Sequence, residues 1–154
     1  MKDQVDALQA VGFRATAINS SLPREEWIQR VEGLVRGNYE LAYLAPEALH
    51  GSLRDRLRDA PLSLVVVDEA HCISQWGHDF RRDYQSLYRL HDLFPQIPRI
   101  ALTATADKRT RQEIEQQLRL QDAAKFVHSF DRPNIFYRIS EGSNNRQRLW
   151  NFLR

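Results

Sequence analysis

Apolar positions in this chain follow two periods, and the switches between them set out the elements. Residues 2–11 place Val5, Leu8 and Val11 on one helical face, and Gly12 can take the left-handed conformation that ends a helix. Residues 13–18 have the length and the Ala, Thr and Ile content of a buried strand, which Asn19-Ser20-Ser21-Leu22-Pro23 breaks. Pro23 should open a helix. Glu25 and Glu26 fall in its first turn, where the helix dipole favours acids; Trp27, Val31, Leu34 and Val35 form its apolar stripe, and Gly37 closes it. A strand follows at residues 41–45. Residues 47–60 are polar and helical in part, with Leu49, Leu53 and Leu57 spaced by four.

The run at residues 62–67 is unbroken and rich in β-branched side chains, so it reads as a strand buried on both faces of a parallel sheet. Residues 81–94 read as a helix with Tyr84, Leu87, Tyr88 and His91 on one side, stopped before Pro95. Residues 99–104 predict a strand. Asp107 can cap a helix that runs to about Leu120 with Ile114 and Leu118 inward. A short strand at 126–130, an extended piece at 135–139 and a helix beginning at Asn145 complete the chain. Strands that alternate with helices in this way predict an α/β layer fold with a parallel sheet. No repeat interrupts the order, and only residues 131–134 and 141–144 resemble linkers.

Composition narrows the class. A chain of 154 residues fits one globular unit of the usual ~100–200 residues or part of a larger protein. One Cys excludes an internal disulfide and, with no secretory signal pattern, predicts a reducing, cytoplasmic setting. No apolar run approaches the ~18 residues that would span a bilayer. The net charge of +2 is mild but uneven: residues 1–77 carry 8 basic and 11 acidic side chains, and residues 78–154 carry 14 and 9.

The strongest chemical signal is Val65-Val66-Val67-Asp68-Glu69-Ala70-His71, two adjacent carboxylates where a buried strand emerges. Ligands of open α/β sheets sit beyond the carboxyl ends of the strands. Phosphoryl transfer uses such a pair, one carboxylate holding Mg²⁺ and the other orienting and deprotonating the attacking water. The plain alternative makes Asp68 a helix cap and leaves Glu69 solvated.

Asp68-Glu69-Ala70-His71 resembles the motif II box of superfamily 2 helicases. Its continuation, Cys72-Ile73-Ser74-Gln75-Trp76-Gly77-His78-Asp79-Phe80-Arg81, resembles the aromatic-rich loop of RecQ-family DNA helicases. Ala101-Leu102-Thr103-Ala104-Thr105-Ala106 is similar to that family's motif III, and Phe130-Asp131-Arg132-Pro133-Asn134-Ile135 to the segment leading into its second motor domain. Met1-Lys2-Asp3-Gln4-Val5 resembles the end of motif Ia, and Tyr43-Leu44-Ala45-Pro46-Glu47 the motif Ib region. Ala48 and Arg82 depart from the pattern, which usually has Arg and Pro there.

The resemblance implies a RecA-like parallel sheet with flanking helices, incomplete because it lacks the phosphate-loop strand and helix. No G-x-x-x-x-G-K-[ST] segment is present. Residues 1–134 would be a truncated first RecA-like domain, from a motif Ia remnant to motif III, and residues 135–154 the start of a second. ATP and Mg²⁺ are the implied cofactors, with Asp68 as Mg²⁺ ligand, Glu69 as general base, and His71, Gln75, Thr103 and Thr105 relaying the nucleotide state. Trp76, His78, Phe80 and Arg81 would contact single-stranded DNA. The implied partners are single-stranded DNA and duplex junctions, in a cytoplasmic, nucleoid-associated setting if the source is bacterial, with roles in DNA repair and recombination.

Other readings of the same residues lead to different expectations. An RNA helicase would share the acidic box but would not be expected to carry the loop at 73–81. Without a phosphate loop, the chain alone would be a weak nucleic-acid-binding protein or an inactive remnant. His71, Cys72, His78 and Asp79 could be read as a metal cluster, yet adjacent ligands are poorly placed to converge on one tetrahedral ion and no C-x₂-C or H-x₃-H spacing is present, so zinc is not expected in this region. A Cys72 nucleophile served by His71 is not expected either, because neighbouring side chains in an extended segment point apart, and Cys72 reads as a buried structural thiol. Trp76 and Phe80 could be core anchors. Thr103 and Thr105 could be turn hydroxyls. Lys108, Arg109 and Arg111 lie at the helix end that disfavours cations, on a face read as solvated.

Overall fold

The computed structural model describes residues 2–49, 52–75, 79–128, 134–136 and 145–152. Contacts divide the chain into two units, residues 1–123 and 124–154. The first is an α/β unit of short parallel sheets with flanking helices, as the alternating pattern predicts.

Helix α1 (Lys2–Ala10) leads into β1 (Ala15–Ile18), helix α2 (Arg24–Val35) and β2 (Leu41–Leu44). β1 and β2 pair in parallel, with Ala15 opposite Leu41 and Ile18 opposite Leu44. β1 is buried throughout, which its small side chains permit. Val31 and Leu34 of α2 reach the main core, whereas Val11, assigned to the apolar face of the first helix, lies beyond α1 and is exposed. Gly37 ends α2 with φ +72°: its N–H bonds Leu34 O, and Asn38 N–H bonds Gly33 O, the paired closure that needs a left-handed residue.

A 3₁₀ turn (Pro46–Leu49) and helix α3 (Ser52–Leu57) follow, with Leu53 and Leu57 buried. Strand β3 (Val65–Val67) pairs in parallel with β4 (Arg99–Ala101). Between them lie a 3₁₀ turn (Ala70–Ile73), helix α4 (Arg82–Gln85), a second 3₁₀ turn (Ser86–Arg89) and helix α5 (Leu90–Leu93). Helix α6 (Lys108–Gln117) begins as expected, with Asp107 accepting a hydrogen bond from Thr110 N–H at 2.7 Å. Ile18, Val31, Leu53, Leu57, Val67, Leu87, Leu90, Phe94, Ile114 and Leu118 make one core.

Several expectations are corrected. Among the described residues the strands form two separate two-stranded sheets. The strand at 62–67 shortens to β3 and is covered on one face only: Val67 is 5% exposed and Val66 47%. Val65, Val67 and Ala101 face the core, while Leu64, Val66, Ile100 and Leu102 leave an open apolar face. A run of valines fits either arrangement. The predicted helix at 81–94 is broken by its 3₁₀ turn, which turns Leu90 inward and leaves Tyr88 exposed.

In the second unit, residues 124–128 and 134–136 have no regular structure, so the expected strand at 126–130 is absent from its described part, where Phe126 is exposed. The remaining residues of that strand, and residues 137–139, lie outside the described residues. Helix α7 (Asn145–Phe152) occupies the predicted helical start. No helix among the described residues is long and apolar enough to cross a membrane.

Candidate functional site

The site is built where β3 and β4 end together. Beyond the paired strands, Leu102 N–H bonds Val67 O at 2.8 Å and Ala70 N–H bonds Leu102 O at 2.9 Å. These two bonds carry the parallel ladder past the last strand residue and bring the turn after β3 against the segment after β4. Glu69 makes this possible with φ 49° and ψ 41°. A non-glycine residue in that left-handed region costs on the order of 1–2 kcal/mol, and its position between two expected functional residues marks a turn held by its surroundings.

Asp68 Oδ1 accepts the Glu69 N–H at 2.9 Å, and both carboxylates are exposed. His71 is buried behind them. Its Nδ1 lies 3.1 Å from Thr103 Oγ1 and 3.3 Å from Glu69 Oε2. Thr103 Oγ1 also accepts the Thr105 N–H at 3.3 Å. Asp68, Glu69, His71, Thr103 and Thr105, singled out in the sequence from two separate segments, thus form one cluster. Gln75 is exposed at the end of the turn. Trp76 and His78 lie outside the described residues.

Phe80 and Arg81 are exposed, and Arg81 donates from a terminal guanidinium nitrogen to Asp79 Oδ2 at 3.3 Å. The Arg81 charge holds the Asp79 carboxyl below the usual carboxylate range. Arg81 N–H bonds Cys72 O at 3.1 Å, which returns the chain to the buried turn and places α4 immediately after it. Arg82, where the family pattern has Pro, is the first residue of that helix.

Cys72 is buried as expected, but the expectation that His71 and Cys72 point apart is overturned. Their segment is a 3₁₀ turn, not an extended strand, so the neighbouring side chains converge and His71 Nε2 lies 3.7 Å from Cys72 Sγ. Asp79 closes on both, its Oδ2 3.8 Å from each. Burial, reinforced by the Asp79 charge, pushes the Cys72 thiol up. The run of valines gives no sign of a 3₁₀ turn three residues on. Lys108 and Arg109 are exposed as expected, whereas Arg111 is half-buried.

The sequence pattern of the DEAD/DEAH box helicases matches residues 1–114. The chain is 44% identical to an ATP-dependent DNA helicase RecQ of Haemophilus influenzae over 99% of its own length and 25% of that protein. It is 44% identical to a probable ATP-dependent DNA helicase RecS of Bacillus subtilis, over 97% of this chain and 30% of that one. With the ATP-dependent DNA helicase Q-like 2 of Arabidopsis thaliana it shares 39% identity, over 93% and 21% respectively. The chain therefore spans between a fifth and a third of the length of these relatives.

Proposed function

The chain belongs to the DEAD/DEAH box helicase family, and from that premise we propose that it serves as part of the motor of a RecQ-type, ATP-dependent DNA helicase. Residues 1–134 belong to the first RecA-like domain on this reading and residues 135–154 to the start of the second. The observation that carries it is the link from Glu69 through His71 to Thr103, which ties the acidic box to the segment after β4.

Glu69 holds the attacking water and takes its proton. Its αL backbone and the nearby imidazole fix the carboxylate at the strand ends, where a nucleotide's phosphates would lie. The exposed oxygens of Asp68 and Glu69 suit Mg²⁺, a hard cation; Asp68 would hold the ion, which supplies neutralisation of phosphate charge when bound. His71 and Thr103 pass a change at Glu69 to the β4 side, and Thr105 follows through its N–H on Thr103. Gln75 contributes from the end of the turn. Trp76, His78, Phe80 and Arg81 bind single-stranded DNA by stacking and charge, and because Arg81 is bonded to Cys72 O, strand binding reaches the buried turn that holds His71.

The chain has no G-x-x-x-x-G-K-[ST] segment to cradle phosphates, so by itself it should not turn over ATP. The test is to graft residues 1–154 in place of the corresponding segment of the Haemophilus RecQ protein. ATP turnover stimulated by single-stranded DNA supports the proposal; a folded graft that binds ATP and DNA but shows no stimulation contradicts it.

A further inference from the structure

His71 Nε2, Cys72 Sγ and Asp79 Oδ2 form a nearly equilateral triangle with edges of 3.7, 3.8 and 3.8 Å. One imidazole nitrogen, one thiol sulfur and one carboxylate oxygen thus lie close enough together to hold one ion. An ion bound tetrahedrally by N, O and S at about 2.0–2.3 Å holds these donors roughly 3.3–3.6 Å apart. The triangle needs to contract by only a few tenths of an ångström.

Nδ1 of His71 sits 3.1 Å from the Thr103 hydroxyl and 3.3 Å from the Glu69 carboxylate. A metal-binding histidine usually has its second nitrogen held by such an oxygen, which fixes the ring and leaves the opposite nitrogen aimed at the ion. Here the ring is already oriented that way. His71 and Cys72 are buried, whereas Asp79 is about half exposed and gives the ion a route from solvent.

We propose that His71, Cys72 and Asp79 form a binding site for a divalent transition-metal ion of the Zn²⁺ class, with three protein ligands and a fourth position open to water. Sulfur and imidazole donors select against Mg²⁺ and Ca²⁺. Zn²⁺ displaces the Cys72 thiol proton to solvent and bonds the thiolate. The bound ion joins the 3₁₀ turn after Glu69 to Asp79. Arg81 opposes it, because its guanidinium already occupies Asp79 Oδ2 at 3.3 Å; being exposed, it can swing away.

The experiment uses the whole chain with Zn²⁺ alone, measured by competition with a chromophoric chelator, and Co²⁺ alone, measured by absorption. One equivalent of each should bind. Co²⁺ should give intense tetrahedral ligand-field bands and a sulfur-to-metal charge-transfer band that Cys72→Ser abolishes. Asp79→Asn, a nearly isosteric change at a half-exposed position, should weaken Zn²⁺ binding at least tenfold. Thr103→Val should weaken it by about tenfold through the ring's lost anchor, and Arg81→Gln should tighten it. No charge-transfer band in the parent chain, or Zn²⁺ affinity unchanged by Asp79→Asn, would overturn the site. Circular dichroism of each variant reports folding, and if Cys72→Ser unfolds, Asp79→Asn and Arg81→Gln decide by moving affinity in opposite directions.

Discussion

His71 Nδ1 lies 3.1 Å from Thr103 Oγ1, although 31 residues separate the two in the chain. The contact follows from the backbone. Leu102 bonds both Val67 and Ala70, so the residue after Leu102 must meet the turn after β3. A parallel strand pair therefore brings His71 and Thr103 together without any long side chain having to reach.

The open face of the β3–β4 sheet yields the first prediction. Val67→Ala should cost about 1.5–3 kcal/mol, the usual value of a fully buried aliphatic side chain, and Val66→Ala much less. Urea denaturation of the two variants makes the comparison. Equal losses would mean that both faces of the strand are covered.

Helix α6 ends in the same paired closure as α2, with Leu120 N–H on Glu115 O and Arg119 N–H on Gln116 O, but Arg119 takes the left-handed position at φ 51° that Gly37 fills in α2. Arg119→Gly should therefore stabilise the chain by about 0.5–1 kcal/mol, after the entropy of glycine is set against the relieved strain. The exposed ion pair that it removes with Asp92 is worth little. A lower melting temperature for this variant would contradict the assignment.

The cap of α6 gives a pH dependence. The Thr110 N–H bonded to Asp107, with the Thr110 side chain, holds the carboxyl below its ordinary value of 3.8. A depressed folded-state pKa contributes stability that is fully present above the unfolded value and disappears as pH falls through the folded one. Asp107→Asn can still cap the helix but cannot titrate, so its melting temperature should fall less steeply than the parent's below about pH 4. Parallel melting curves against pH would show otherwise.

The fold class and the acidic box were legible because each rests on a local pattern. Strand and helix periods give the α/β order, Asp107 announces its helix, and Asp68-Glu69 follows a β-branched run. What failed depends on packing at a distance. Val66 and Val67 are alike in sequence and differ only in what lies above each face. His71 and Cys72 converge because Glu69 turns the backbone left-handed, which a glutamate does not advertise. Tyr88 and Leu90 exchange places because a 3₁₀ turn changes the helical phase.

Phe80 is an exposed aromatic, and its proposed role in DNA coupling can be tested. In the RecQ graft, Trp76→Ala with Phe80→Ala should reduce ATPase stimulation by single-stranded DNA more than the basal rate, because losing a stacked base costs about 1–3 kcal/mol. Equal falls in both rates, with a lower melting temperature, would assign these side chains to packing.

The central claim is that Glu69 is the base of an ATP-hydrolysing motor, and Glu69→Gln in the graft tests it most directly. The amide keeps the shape of the side chain and cannot accept the water's proton. Steady-state ATP turnover at saturating single-stranded DNA should fall by about 10²–10⁴-fold while nucleotide binding, followed by fluorescence of an ATP analogue, stays close to the parent's. An unchanged kcat in that variant would contradict the account.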